Sequence, residues 1–416
     1  MAATDSDKSS KVDIQQRTLR VLATTQVFSS VGVGSTIAAG SLLVASISKS
    51  ESLAGLAQTF NVLGAAAMAI PLSRLTARGG RRLALSLGYL IACVGALCAI
   101  YGGSHRILFF MLAGTFMLGA STASNYQARF AAIDLAEDST RAHDLSFVVW
   151  ASTIGAVLGP NLMAPVGKIA PRFGLPELTG PYILAFIMLL IGSVNLWTRL
   201  RPDPYLLSVQ RLHAETGEVY ERLKPRVVLT HIRATPHALL GLLAIAIGHV
   251  AMVSVMVMTP VHMAHVDVSL KIIGLVISVH VAGMWAFSPL VGRLTDTIGR
   301  IRVIQIGVVM LLLSGVIAGT AYPSDSTQLG IGLFLLGLGW SCTLIAGSTL
   351  LSESLAPAIR ASAQGTTDTI MNLSAAIGGA LAGVIIGTLG YGYLCLLACI
   401  PVALLGILST RQAVAA

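Results

Sequence analysis

Apolar stretches separated by short polar segments run along the whole of this chain. An apolar stretch of about 20 residues forms a helix long enough to cross the hydrocarbon core of a membrane. Twelve such stretches predict an all-α membrane protein with twelve transmembrane helices. The predicted spans lie near residues 21–46, 53–73, 83–102, 106–127, 145–167, 179–198, 237–261, 270–291, 302–321, 328–351, 363–388 and 391–410.

A longer polar stretch separates the first six apolar stretches from the last six. We therefore predict two six-helix bundles joined by a cytoplasmic linker. Residues 1–20 are polar and pass directly into the first apolar stretch, which predicts a first span rather than a cleavable signal peptide. The predicted parts are a tail at 1–20, a bundle at 21–198, the linker at 199–235, a bundle at 236–410 and a tail at 411–416.

The composition agrees with a membrane protein. Hydrophobic residues make up 55% of the chain and charged residues 11%, against about 25% charged residues in soluble domains. Of the 27 Lys and Arg, all but Lys49, Arg106, Lys168, Arg172 and Lys271 fall on one side if the amino terminus is inside. Because basic loops face the cytoplasm, both termini are predicted to be cytoplasmic. This distribution also explains the net charge of +9 without a nucleic-acid partner.

A short motif occurs twice, at an offset of 219 residues. The segment 74–81 reads R-L-T-A-R-G-G-R and the segment 293–300 reads R-L-T-D-T-I-G-R. The dipeptide Arg-Ala recurs at the same offset, at 141–142 and 360–361. A repeated six-helix half is the architecture of large secondary transporters, whose substrate site lies near the membrane midplane between the repeats.

The two loops resemble the signature of the major facilitator superfamily between spans 2 and 3, and its echo between spans 8 and 9. The first copy departs from it, with Ser73 in place of the glycine and Ala77 in place of the aspartate. In that family the loop is a cytoplasmic latch, so the resemblance implies a latch that depends mainly on the C-terminal half. The gating residues that it implies are Arg74, Gly292, Arg293, Asp296, Gly299 and Arg300.

Methionine and histidine are concentrated between residues 249 and 284, which hold five of the 13 methionines and four of the nine histidines. Met252 and Met256 are four residues apart on span 7, and His280 and Met284 are four apart on span 8, so each pair is expected on one helix face. Thioethers and imidazoles bind soft or borderline metals such as copper. Methionines also fill gaps between helices, whereas an ionisable residue at mid-membrane is usually functional.

The outer end of span 7 carries a further group of the same residue types. Pro260 is predicted to end the helix there, leaving His262, Met263 and His265 at its outer margin. These three residues are candidates for an entrance through which copper would reach the pairs on the two spans.

Both pairs resemble the pattern of the CcoA-like copper importers of the bacterial cytoplasmic membrane. By this resemblance Met252, Met256, His280 and Met284 are copper ligands, and copper is the transported substrate rather than a cofactor. We further expect a monomer in the lipid bilayer that releases copper to a cytoplasmic chaperone or thiol pool. No enzyme motif is present, and none of the residues points to catalysis.

Two weaker signals leave other functions open. The sequence from Gly155 to Pro160 partly resembles the G-x-x-x-G-P element of drug/proton antiporters, although tight helix packing also explains it. Export of lipophilic compounds is therefore the alternative function. Asp368 is the acidic residue predicted to lie well inside the membrane, where it either forms an ion pair or carries a coupling proton.

Overall fold

The computed structural model describes residues 2–49, 53, 55–216, 225–264 and 270–415. Within these ranges all long elements are helices. The helices are α1 Ala2–Ser48, α2 Leu56–His105, α3 Leu108–Ala131, α4 Arg141–Gly167, α5 Gly180–Arg199, α6 Pro204–Thr216, α7 Pro225–Ala234, α8 Pro236–Ala264, α9 Leu270–Trp285, α10 Ser288–Ile298, α11 Arg300–Gly319, α12 Ser326–Glu353, α13 Pro357–Thr388 and α14 Tyr391–Ala415.

The described residues contain eleven helical segments that are long and apolar enough to cross a membrane. One of them, α2, is long enough to cross it twice. Helix α2 has 50 residues, and at 1.5 Å per residue it is about 75 Å long, more than twice the hydrocarbon thickness. It bends at Gly80, whose φ of 83° and ψ of 175° are not helical. The two parts of α2 therefore form two spans, which confirms the predicted twelve-helix fold.

The eighth predicted span is interrupted. The hydrophobic pattern predicts one helix over 270–291, but α9 ends at Trp285 and α10 begins at Ser288. Pro289 supplies the physical reason, because a proline inside a continuous helix has no N–H to donate and its ring clashes with the carbonyl four residues earlier. At the second position of a new helix neither penalty applies.

The prediction that the seventh span ends at Pro260 is wrong. Helix α8 includes Pro260 and continues to Ala264. The turn before the proline is fixed from another helix, since the Thr259 hydroxyl lies 2.8 Å from the Tyr391 hydroxyl of α14. Pro71 and Pro401 likewise lie inside α2 and α14, and prolines are tolerated within membrane-spanning helices more often than in soluble ones.

The chain divides into two compact units. One comprises Met1–Glu137, Ala151–Lys224 and Pro357–Thr369, and the other Asp138–Trp150, Pro225–Ala356 and Ile370–Ala416. The first turns of α4 and of α13 each belong to the unit built mainly from the opposite half of the sequence. We call 138–150 and 357–369 the exchanged segments. Elsewhere the division falls within the predicted linker at 199–235.

Close helix packing builds each unit. In the first unit α2 packs along α3 and α5, and α1 packs along α5. A side chain at Gly114 would come within 2.6 Å of the α2 backbone, so glycine permits the close approach of α3 and α2. In the second unit α12 packs along α8, α9 and α11, whereas α8 and α9 approach each other at few points. Helix α12 is therefore the common neighbour of the two helices that carry the methionine and histidine pairs.

Candidate functional site

The two copies of the repeated motif form matching turns, each followed by a bidentate ion pair. Gly80 and Gly299 both have positive φ, at 83° and 95°, in a region that only glycine occupies readily. The guanidinium of Arg81 then donates to Asp134 over 2.8 and 3.1 Å. The guanidinium of Arg300 donates to Glu353 over 3.0 and 2.7 Å.

The acidic partners also follow the repeat, because Glu353 stands 219 residues after Asp134. Neither carboxylate stands out in the sequence alone, although the fixed offset of 219 residues is a signal that could have found them. Of the other predicted gating residues, the side chains of Arg74 and Arg293 are exposed. In both repeats, therefore, the arginine that follows the glycine forms the bidentate ion pair, and among the described residues the arginine that opens the motif does not.

Asp296 caps the start of α4. Its carboxylate accepts hydrogen bonds from the backbone N–H groups of Ala142 and His143, over 3.0 and 2.8 Å. The first N–H groups of a helix have no partner within the helix, and a negative charge there is favourable. Asp296 thus holds one exchanged segment by its backbone.

The first repeat has no such cap, and the helix boundaries explain why. Ala77 occupies the position equivalent to Asp296. Helix α13 begins at Pro357, a full turn earlier in the repeat than α4 begins at Arg141. The amides that an aspartate at 77 would face are therefore already inside a helix and need no cap. This exchanged segment is held by a side chain instead, since Arg81 donates to Gln364 over 2.7 Å.

In each repeat a glycine and a serine face each other where the repeated motif packs against an exchanged segment. Gly292 packs against Ser146 of α4, and a side chain at 292 would come within 2.6 Å of the Ala142 carbonyl oxygen. In the other repeat the sizes are reversed, because Ser73 packs against Gly365 of α13. The serine that departs from the family signature is thus matched by a glycine on the facing helix.

A buried ion pair joins α3 to the start of α13 within the first unit. Arg129 Nη2 donates to Asp368 Oδ1 over 2.6 Å, and both side chains are 1% exposed. The guanidinium also lies 5.3 Å from the ring centre of Tyr126 and 4.6 Å from that of Phe130. At the offset of 219 the equivalent positions are Ser348 and Val149. The pair is therefore an addition to one repeat rather than part of the shared framework.

The predicted metal ligands lie on α8 and α9, two helices that both pack along α12. His280 is fully buried, and its Nδ1 lies 2.7 Å from the Leu333 carbonyl of α12. Its Nε2 is buried and has no hydrogen-bond partner in the described part of the chain. Met252 and Met284 are buried, and Met256 is half-buried. Helix α12 contacts both α8 and α9, which themselves approach each other at few points.

Of the predicted entrance residues, His262 packs against α14. The ring of His262 stacks on Tyr391, with ring centres 4.2 Å apart and an angle of 14°. Met263 is fully buried, and His265 lies outside the described residues. The described residues contain no group of three or more His, Cys, Asp or Glu that could hold a metal.

The two glycines of the antiporter-like element are packing positions. A side chain at Gly155 would meet Ser30 and the backbone of Val31, and one at Gly159 would come within 2.8 Å of the Ser35 backbone. Both glycines therefore allow α4 to lie close to α1. Helix packing is therefore enough to explain both glycines, and their presence does not favour drug export.

The fold and the repeated latches define a membrane transporter. The sequence profile of the Major Facilitator Superfamily matches residues 22–270 and 254–412. The chain belongs to this family, whose members are transporters, and the resemblance seen in the two loops is confirmed.

Relatives and solved structures match over nearly the whole length. The uncharacterized transporters YdeG and YddS of Bacillus subtilis (strain 168) are 36% and 35% identical, over 92% and 91% of this chain and 88% and 86% of theirs. The riboflavin transporter RfnT of Brucella anthropi is 24% identical over 90% of each chain. The structure of the proton:xylose symporter XylE matches with a TM-score of 0.74 at 14% identity, covering 96% of each chain. That structure supports the fold alone, and the copper specificity stays a prediction.

Proposed function

We propose that this transporter carries a small organic solute across the bacterial cytoplasmic membrane by alternating access. The observation that carries the mechanism is the pair of exchanged segments. The first turns of α4, from the first half of the sequence, belong to the second unit, and the first turns of α13, from the second half, belong to the first unit. An organic solute is supported by the riboflavin transporter, which covers 90% of this chain. The basic loops favour a protein with both termini in the cytoplasm, which reporter fusions at Arg106 and Ala416 would test.

Polar contacts of a reversible kind hold the exchanged segments. Asp296 binds backbone N–H groups of α4, and Arg81 binds Gln364 of α13. Each charge-assisted hydrogen bond is worth about 1.5–3 kcal/mol net, since water replaces it when it breaks. A latch made of a few such bonds can open and close during transport, whereas a large apolar interface would stay shut.

Cross-linking an exchanged segment to its latch tests the mechanism. We expect His143→Cys with Thr297→Cys, joined by a flexible bismaleimide in a variant without the five native cysteines, to stop counterflow of riboflavin in proteoliposomes. A matched control joins α11 to α12 within one half through Thr320→Cys and Gln328→Cys, whose native side chains lie 3.1 Å apart. That control should transport normally. Full transport by the first cross-linked protein would contradict alternating access through this latch.

Copper import is the second candidate, and one observation favours it. The buried Nε2 of His280 has no hydrogen-bond partner in the described part of the chain, and Met284 is buried one turn further along α9. A neutral imidazole nitrogen beside a thioether forms a moderate site for monovalent copper. In this proposal copper enters past His262, Met263 and His265. It then passes along Met256, Met252, His280 and Met284 to a cytoplasmic chaperone.

Copper uptake by cells separates the two candidates. If copper is the substrate, His280→Ala and Met284→Leu should each reduce uptake of labelled copper at least tenfold. Met310→Leu on α11 is a matched control and should not. Wild-type copper uptake by both ligand variants, together with saturable riboflavin counterflow, would reject copper and support the organic solute.

A further inference from the structure

We infer that Arg129 binds an acidic group of the transported solute while Asp368 takes up a proton, so that one anion and one proton cross together. This inference rests on the proposed organic-solute transport and names the chemistry that the solute must carry. The acidic group is a carboxylate or a phosphate, since a guanidinium binds both.

The hydrogen bonds of Arg129 are incomplete. Only Nη2 is bonded to Asp368, and the buried Nε and Nη1 have no hydrogen-bond partner in the described residues. Arg81 shows the contrast, because its fork is filled by Asp134 and Gln364. A guanidinium presents donors in a planar fork that suits two oxygens of one acid. Nε and Nη1 each form such a fork only together with Nη2, so an acid that replaces Asp368 on Nη2 would make two hydrogen bonds where Asp368 makes one.

Aromatic rings hold Arg129 in place independently of Asp368. Tyr126 and Phe130, on the same helix, flank the guanidinium at 5.3 and 4.6 Å. Contacts of a cation with ring faces contribute about 0.5–2 kcal/mol. Because these rings belong to α3, the arginine keeps its position when the start of α13 moves away and a solute replaces the aspartate.

The charge balance couples the solute to a proton. In the structure Arg129 and Asp368 neutralise each other, and an unpaired charge buried in their place would be strongly unfavourable. A solute carboxylate can pair with Arg129 only if the Asp368 carboxylate becomes neutral, which requires one proton on its oxygen. The guanidinium stays charged throughout. With a singly charged acid the site therefore carries no net charge in either state, and transport of that anion with one proton is electroneutral.

The charged and titratable groups around Asp368 agree with this assignment. Arg129 and Tyr126 face it from α3, and Arg81 of α2 is close enough to interact with it electrostatically. Arg81 is itself neutralised by Asp134, with which it forms two hydrogen bonds. Asp368 also lies in an exchanged segment. Releasing it from Arg129 frees α13 from α3, which links solute binding to the movement of the latch.

Binding to the purified full-length protein tests the inference without knowledge of the natural solute. The probes are gluconate and benzoate for carboxylates of single charge, riboflavin 5′-phosphate at about pH 5, where its phosphate carries one charge, and riboflavin as the uncharged counterpart. Asp368→Asn should bind the best anion at least tenfold more tightly than wild type, with no dependence on pH, because the internal competitor is gone. Arg129→Gln should not bind it. Arg78→Gln, at an exposed position of α2, should match wild type.

Flux measurements add a second readout. In proteoliposomes we expect Asp368→Asn to retain counterflow of the bound anion and to lose its accumulation against a pH gradient. Wild-type accumulation should not change when the membrane potential is clamped. Should Arg129→Gln fold poorly, the double variant Arg129→Gln/Asp368→Asn removes both charges and should fold without binding anions.

Three results would overturn the inference. These are equal anion affinity in Arg129→Gln and wild type, weaker affinity in Asp368→Asn than in wild type, and no response to any anion in either protein. Riboflavin counterflow by the wild-type protein together with any of these three results would leave the proposed organic-solute transport standing while the anion site fails. Copper uptake with no movement of any organic probe would instead reject the proposed function.

Discussion

Ser73 and Gly292 occupy equivalent positions in the two repeats but face opposite kinds of neighbour. Ser73 lies against Gly365, and Gly292 lies against Ser146. Each contact therefore has room for one serine side chain, contributed from either helix. In both repeats one serine side chain fills the space between the two helices, but it comes from α2 in the first repeat and from α4 in the second.

This arrangement predicts a specific rescue. Gly365→Ser should place two serines in the space of one and cost about 1–3 kcal/mol through overpacking. Adding Ser73→Gly should restore most of the loss, since the double variant copies the other repeat. The midpoint of thermal unfolding in detergent measures both effects.

Ser146→Gly is the matched control, because it removes the serine of the other contact and adds no bulk. It should lower the unfolding midpoint less than Gly365→Ser does. If Ser73→Gly did not improve on Gly365→Ser alone, the two residues would not share one space.

Single residues were predictable from the sequence where the membrane makes them unusual. Asp368 was identified as a buried acid because a carboxylate within a span is costly, but its partner Arg129 was not, since 239 residues separate them and the repeat offers no equivalent pair. The spacing of Met252 and Met256 shows that they share a helix face, but it does not show which helix lies against that face. The packing of α12 along both α8 and α9 could therefore not be predicted.

At the scale of elements, two glycines set the direction of the chain between spans. Gly80 bends α2 into two helices, and Gly299 separates α10 from α11. Both lie where φ is positive and ψ is near 155–175°, a region essentially restricted to glycine. Each is followed by the arginine of a bidentate ion pair, so the bend also aims that side chain.

Replacing either glycine should therefore strain the bend. We expect Gly80→Ala and Gly299→Ala each to cost about 1–3 kcal/mol and to slow transport, because Arg81 or Arg300 is displaced from its carboxylate. Gly330→Ala on α12 is the matched control, since open space surrounds that position and its backbone is helical. Thermal unfolding and counterflow measure the outcome, and normal behaviour of both bend variants would contradict this role.

The ends of elements were harder to predict than their existence. Hydrophobic patterning located the spans, but a proline does not by itself set the end of a helix. At Pro289 the chain restarts as a new helix, whereas α8 runs through Pro260, where the neighbouring Thr259 contacts α14. Such contacts come from distant parts of the sequence, and local patterns carry no record of them.

At the scale of the whole molecule, the repeat made the fold predictable. A common offset relates the glycine turns, the ion pairs and the small-residue contacts of the two halves. The substrate was less predictable, because specificity depends on side chains that differ between the halves. Arg129 and Asp368 on one side, and His280 on the other, have no equivalents in the repeat.

The Arg129–Asp368 pair has a consequence for biosynthesis. The two residues are 239 positions apart, and at about 5–20 residues per second a ribosome needs roughly 10–50 s to make the intervening chain. During that interval the arginine is in the membrane before its carboxylate exists. A chain ending at Ala356 should therefore be degraded faster in pulse-chase labelling than full-length protein, and Arg129→Gln should prolong its lifetime. The nascent N-terminal half thus remains a substrate for quality control until α13 arrives.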